Sequence, residues 1–193
     1  GGPSRTYHKT KALMVGDTAL WSLLMERLSN IALTSLMSQV GAGASAIQLF
    51  DSWAGALSPA QYQRYVFPWS QHIFSEMAAF GVPMIHFGVN TGELLPLMSN
   101  AGASVVGVDW RVPLDSARER IGTDKALQGN LDPGILGAPW PAIEAEVHDV
   151  LHRNGGHPGH VFNLGHGVTP DVDPAVLEQV VATVHAHPVL AHT

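Results

Sequence analysis

The chain has 193 residues, 46% of them apolar, and carries 10 basic against 16 acidic residues for a formal charge of −6; with no run of Lys or Arg, a grip on nucleic acid phosphates is not expected. Cysteine is absent, which removes disulfide frameworks, thiolate zinc sites and a cysteine nucleophile together and suits a reducing cytosol. No apolar run approaches the roughly 20 residues that cross a bilayer, so the expectation is a soluble cytoplasmic protein without a membrane partner.

The opening residues Gly1-Gly2-Pro3-Ser4 include no methionine and no signal-peptide pattern, and read as the inside of a longer polypeptide. Residues 17–40 place Leu20, Leu24, Leu28, Ile31, Leu36 and Val40 at helical spacing, which predicts a helix with one buried stripe and a cap at Asp17 or Thr18. Residues 46–51 form a short apolar run of strand length, ending at Asp51-Ser52. Ser58-Pro59 opens a second long helix, reaching Phe80-Gly81 and kinked or divided by Pro68. The alternation then repeats, with strands over 83–87, 104–108, 126–128 and 160–164 and helices over 91–100, 113–120, 140–153 and 174–187. The closing residues 188–193 read as an end that frays.

Five strands alternating with helices favour an α/β fold with a parallel sheet, doubly wound or closed as a barrel. No glycine-rich dinucleotide fingerprint follows any strand, so the doubly wound version has no support. Polar residues gather after the strands, at Asp51-Ser52, His86, Asp109, Asn130 with Asp132, and Asn163 with His166, where a (β/α)8 TIM barrel carries its chemistry. Five units cannot close such a barrel, so about three more are expected upstream of Gly1. No linker divides residues 1–193, which read as part of one barrel domain.

Four segments, in order, carry a resemblance: Leu49-Phe50-Asp51-Ser52-Trp53-Ala54-Gly55, Gly107-Val108-Asp109-Trp110, Leu127-Gln128-Gly129-Asn130-Leu131-Asp132-Pro133, and Asn163-Leu164-Gly165-His166-Gly167-Val168. Together they resemble the C-terminal portion of the uroporphyrinogen decarboxylase family, and the likeness spans nearly the whole chain. The resemblance implies a (β/α)8 barrel, a homodimer, and cofactor-free removal of the acetate carboxyls of uroporphyrinogen, a polyanionic tetrapyrrole, in heme biosynthesis. It also implies that the family's pyrrole-binding aspartate, its arginines and its tyrosine belong to the half preceding Gly1, so no catalytic residue is assigned within this chain. Two substrate-binding residues carry over. Ser52 corresponds to the Ser/Thr that binds a substrate carboxylate, and His166 to the histidine at the end of the last strand.

Their chemistry suits those roles: a hydroxyl fixes a carboxylate arm by donating to it, and imidazole donates while changing charge near neutral pH. Each also has a plainer reading, Ser52 as a turn cap and His166 as a surface residue. Asn130 and Asp132 read as a turn and helix-capping pair, and Asp109 as structural, since a carboxylate beside a polyanion is costly unless Arg111 or Arg118 pairs with it. His152, His157, His160 and His166 lack any fixed metal-ligand spacing, so no metal is assigned. The alternatives are a zinc- and cobalamin-dependent methyltransferase on the same barrel, against which the lack of cysteine counts, and an inactive fragment or binding module.

Overall fold

Local chemistry starts most of the helices in the computed structural model, which describes residues 6–188; the opening Gly1-Gly2-Pro3-Ser4 and residues 189–193 lie outside the described residues. Helix α1 (His8–Gly16) is not expected from the sequence, because its nine residues are too few and too weakly patterned to stand apart from the longer helix after it. Asp17 separates it from α2 (Thr18–Gly41) and caps α2 by accepting from the Leu20 N–H at 3.0 Å. Ser58 and Gln61 exchange side-chain and backbone hydrogen bonds in a capping box at the start of α3 (Pro59–Tyr65). The expected division occurs at Val66, two residues before Pro68: a proline two residues into a helix lacks only an N–H that would be unpaired anyway, so α4 (Phe67–Met77) begins afresh there.

The remaining units are strand β1 (Ile47–Phe50), β2 (Met84–Phe87), α5 (Leu95–Asn100), β3 (Val105–Gly107), α6 (Leu114–Ile121), β4 (Ala126–Leu131), α7 (Trp140–Arg153), β5 (His160–Leu164) and α8 (Pro174–Ala186). β4 runs three residues past its expected end. Gly129 and Asn130 discourage a strand by propensity, yet Gly129 adopts φ +141° with space for no Cβ beside the Val108 carbonyl, and the Asn130 amide donates to the carbonyls of Asp109 and Val112.

All five strands are parallel and lie in the order β1-β2-β3-β4-β5. A doubly wound sheet reverses its order at a switch point; this one never does, so every right-handed crossover puts its helix on the same face. One face of the sheet is therefore core. Val106, Leu127, Ile143, Val147 and Leu114 fill one half of it, and Ile47, Met84, Phe74, Met77 and Leu33 the other. The opposite face stays open, with Phe50 64% and Val161 48% exposed. These are five consecutive staves of a barrel, with β1 and β5 as edges whose outer sides have no strand partner among the described residues.

The first four residues of the stripe expected to bury α2 face outward, while its last two, Leu36 and Val40, pack into the core. Leu20, Leu24, Leu28 and Ile31 are 49%, 38%, 50% and 66% exposed, while Trp21, Leu33 and Leu36 turn into the core. Apolar residues occur on both sides of this helix, so periodicity alone does not choose the face that packs. Among the described residues no helix is long and apolar enough to cross a membrane.

A buried polar hub ties β1 and β2 to α3 and α4. Asp51 Oδ2 accepts from the Tyr62 hydroxyl at 3.1 Å and the Ser70 hydroxyl at 3.2 Å, and lies 3.0 Å from His86 Nε2. The other ring nitrogen, Nδ1, lies 3.2 Å from the Met98 carbonyl, which can only accept. Burial, and then the neighbouring Asp51 charge, push the Tyr62 pKa far above its ordinary value, which keeps that hydroxyl a donor. His86 is wholly buried against Phe74 in the helix layer. That removes it from the strand-end group in which the sequence placed it: alternation along β2 turns His86 outward and Phe87 inward.

The isolated chain, with two open sheet edges and the exposed face of α2, is expected to associate in sedimentation experiments, and Leu24→Glu with Ile31→Glu to reduce that association. A stable monomer with a single cooperative unfolding transition would show instead that neither the edges nor α2 is sticky. In the intact gene product Asp51→Ala leaves the buried Tyr62 and Ser70 hydroxyls without their acceptor and lowers stability by about 2–4 kcal/mol in urea titration, whereas an effect below about 0.5 kcal/mol would show the hub to be incidental.

Candidate active site at the strand ends

Alternation along β1 sends Ile47 and Leu49 toward the helices and puts Gln48, Phe50 and Ser52 in line on the open face. β2 contributes Phe87, β4 Gln128, and β5 Asn163, each set by the parallel register that pairs Phe50 with Phe87, Phe87 with Gly107, and Gly107 with Gln128. Beyond the ends of β1 and β5, Ser52 and His166 line the same cavity of ≈ 470 Å³, with Phe50, Phe87, Gln128 and Asn163 as its walls. Its floor is polar, where the Gln128 side-chain amide donates to the Gln48 side-chain oxygen Oε1 at 3.2 Å. The two residues singled out from the sequence are thus brought together from positions more than a hundred residues apart.

Ser52 is half-buried and comes directly after the hub residue Asp51, whose N–H is tied to the Phe87 carbonyl at 2.7 Å. The backbone just before Ser52 is therefore held through both the N–H and the side chain of Asp51. Ser52 also borders a smaller apolar cavity of ≈ 220 Å³ toward α1, lined by Tyr7, Met14, Trp21 and Trp53. Lys11 of α1 closes that side by donating to the Ala56 carbonyl.

His166 is exposed and meets the Trp110 ring edge-on, with centroids 6.2 Å apart and planes at 88°. Gly165 makes the approach possible, since a Cβ there would lie 2.4 Å from the Trp110 nitrogen. The other support of Trp110 is Arg111, whose guanidinium carbon stands 3.8 Å from the centre of the indole ring. Arg111 Nη1 donates to Asp109 Oδ2 at 2.7 Å, and Asp109 also accepts from the backbone N–H groups of Asn90 and Arg111. Asp109 is thus buried and fully paired, consistent with a structural part, and its partner is Arg111. Arg118 instead directs its guanidinium to the Lys125 carbonyl and Asn154, where burial lowers its pKa.

Asp132 accepts from the Gly134 N–H at 2.8 Å as a turn cap, and Asn130 holds the loop after β3. The four histidines considered for a metal are scattered: His160 bonds the Gly129 carbonyl on β4, His152 and His157 lie by an open depression between α6 and α7, and His166 stands at the opposite strand ends. Among the described residues no three His, Asp or Glu side chains are grouped to hold a metal ion. The depression of ≈ 730 Å³ between α6 and α7 is larger than the strand-end cavity, but it lies by His157 and Thr123, before the strands begin, away from Ser52 and His166.

Sequence reasoning missed Gln48, Phe50, Phe87 and Gln128 as cavity walls. The period of two that joins Gln48 and Phe50 to Ser52 was available in β1; the register that adds Phe87 and Gln128 was not.

Comparison with known proteins bears on the family and the fold. Residues 1–187 match the family model described as Uroporphyrinogen decarboxylase (URO-D). The chain is 61% identical to a uroporphyrinogen decarboxylase of Salinispora tropica over 185 residues, which cover 96% of this chain and 50% of that protein. It is 60% identical to the one of Thermobifida fusca, with 96% and 51% covered. The chain thus spans about half the length of the curated relatives it matches. Among solved structures it resembles a methyltransferase from Methanosarcina mazei at TM-score 0.80 and 20% identity, over 90% of this chain and 51% of that one, a likeness of fold. With a family match across nearly its whole length, over a sheet of barrel staves whose strand ends hold Ser52 and His166, the chain belongs to the uroporphyrinogen decarboxylase family.

Proposed function

We propose that this chain forms the C-terminal part of a uroporphyrinogen decarboxylase, in which Ser52 and His166 bind carboxylates of the substrate. The observation that carries the reading is their convergence on one cavity with aromatic walls and a polar floor. Phe50 and Phe87 offer flat apolar surface to a macrocycle, and Ser52 and His166 offer donors to its arms.

The reaction needs an electron sink and a proton. Protonating a pyrrole carbon makes the ring cationic; the bond from the acetate CH2 to its carboxylate then breaks, and its electron pair flows into the ring as CO2 leaves. The exocyclic carbon takes up a proton to become a methyl group, and the ring loses the proton it first gained. One acetate arm and one proton thus give a methyl group and CO2, with no net oxidation. The macrocycle is its own sink, so the protein's work is to orient arms and stabilise charge. Ser52 Oγ is a donor that fixes one arm's rotamer, not a nucleophile. His166, exposed at the strand end but steadied by Trp110, donates to a second carboxylate.

The family's aspartate, arginines and tyrosine are taken to come from the other half of the barrel, and the enzyme to act as a cytoplasmic homodimer. The likeness to a methyltransferase rests on fold at 20% identity and favours no corrinoid chemistry.

Anaerobic turnover of uroporphyrinogen by the intact gene product tests the reading, with Ser52→Ala and His166→Asn beside it. Each variant is expected to lose about tenfold to a hundredfold in kcat/KM, the worth of a hydrogen bond to a charged group. Full activity in both variants would remove these residues from the substrate site, and an inactive gene product that binds a corrinoid would replace the reading. The isolated 193-residue chain is expected to release no coproporphyrinogen, which the same assay checks.

A further inference from the structure

The loops that come after the five strands are poor in positive charge. They carry the carboxylates of Asp51, Glu93, Asp109, Asp132, Asp171 and Asp173, and Arg111 is their one Lys or Arg. Within these loops Arg111 is the one point where a polyanion meets a favourable charge; Lys11 of α1 and Arg120 of α6 reach the same end but are bonded to the Ala56 carbonyl and to the Gly92 carbonyl with Glu93.

The local structure holds the Arg111 guanidinium in place. Asp109, with a side chain 1% exposed, takes one of its nitrogens, while the Trp110 ring supports its flat face. Arg111 itself is 44% exposed, and its bond to Asp109 is its one side-chain hydrogen bond among the described residues. A guanidinium offers five N–H donors in a rigid fork, so an edge is left for a second, bidentate acceptor. The cost of ordering this long side chain is met before any ligand arrives, since the stack and the buried carboxylate fix it already. The same Trp110 ring touches His166, so Arg111 stands one aromatic ring away from the cavity that Ser52 and His166 share.

We propose that Arg111 is a carboxylate-binding subsite at the rim of the cavity, gripping a substrate arm other than the one that reacts. This rests on the substrate class proposed above and adds a residue to its recognition. Trp110 is the platform that serves both sides: its face supports the cation and its ring packs against His166, which couples the rim subsite to the histidine. Because the arm held at the rim keeps its charge through the reaction, Arg111 contributes equally to ground and transition states, and its loss appears in KM and not in kcat.

The test uses the intact gene product and uroporphyrin, the oxidised macrocycle with the same arms, whose binding is read by fluorescence quenching independently of turnover. Arg111→Gln is expected to raise the uroporphyrin Kd and the KM for uroporphyrinogen about tenfold, with kcat changed less than about twofold, and Arg111→Lys to recover part of the loss by restoring charge without the fork. If leaving Asp109 unpaired unfolds the loop, Arg111→Lys carries the test, because it keeps a cation beside Asp109 and lacks the fork; its uroporphyrin Kd is expected to rise, and an unchanged Kd overturns the subsite there too. A Kd unchanged in the Gln variant overturns the subsite. So does a fall in kcat with Kd unchanged, which would mean that Arg111 acts only by holding Trp110 against His166. The two proposals fail separately: Arg111-dependent binding without decarboxylation sinks the reaction and keeps the subsite, and turnover indifferent to position 111 does the reverse.

Discussion

Consecutive parallel pairing is the constraint on which everything else depends. Each strand hydrogen-bonds to the next in chain order and points the same way, so each crossover must return over the same face with the same hand. That single condition sorts the side chains. Residues such as Leu49, His86, Val106 and Leu127 go to the helix layer, and Gln48, Phe50, Phe87 and Gln128 go to the other face. It also brings all five strand ends to one side, where loops far apart in sequence become neighbours.

Polar groups near those ends divide into two kinds. Asp51 and Asp109 are acidic but committed: the Tyr62 and Ser70 hydroxyls and the His86 ring converge on Asp51, and two backbone N–H groups and a guanidinium on Asp109. Both hold the backbone of the loop that presents the next residue, Ser52 in one case and Trp110 in the other. Ser52 and His166 carry no such commitments and face the cavity. A buried or part-buried carboxylate that has found its partners thus acts as a fixed point from which a neighbouring side chain is aimed.

Much of the fold was legible in the chain because its signals are local. Ser58 with Gln61, Asp17 before α2, and Pro174 after Asp173 state where helices begin through bonds made within four residues. Two elements were misread for the opposite reason. Apolar residues occupy both the exposed side of α2 and its inward side, and the choice between them is made by α4 and the sheet. β4 passes through Gly129 and Asn130, which look like a turn until the carbonyls of Val108, Asp109 and Val112 are beside them. His86 looked like a strand-end polar residue, and only its neighbours Phe74, Met98 and Asp51 show it to belong to the helix layer.

The sequence by itself determined the alternation of five strands with helices and the family, and singled out Ser52 and His166 as candidates, since caps, periodicities and contiguous motifs are properties of short stretches of chain. Only the tertiary structure decided that Ser52 and His166 share a cavity, that Arg111 rather than Arg118 neutralises Asp109, and that Gly165 lets Trp110 close on the His166 loop. Most of these are contacts between segments tens of residues apart, and what creates them is the parallel register of a sheet, which no local signal encodes.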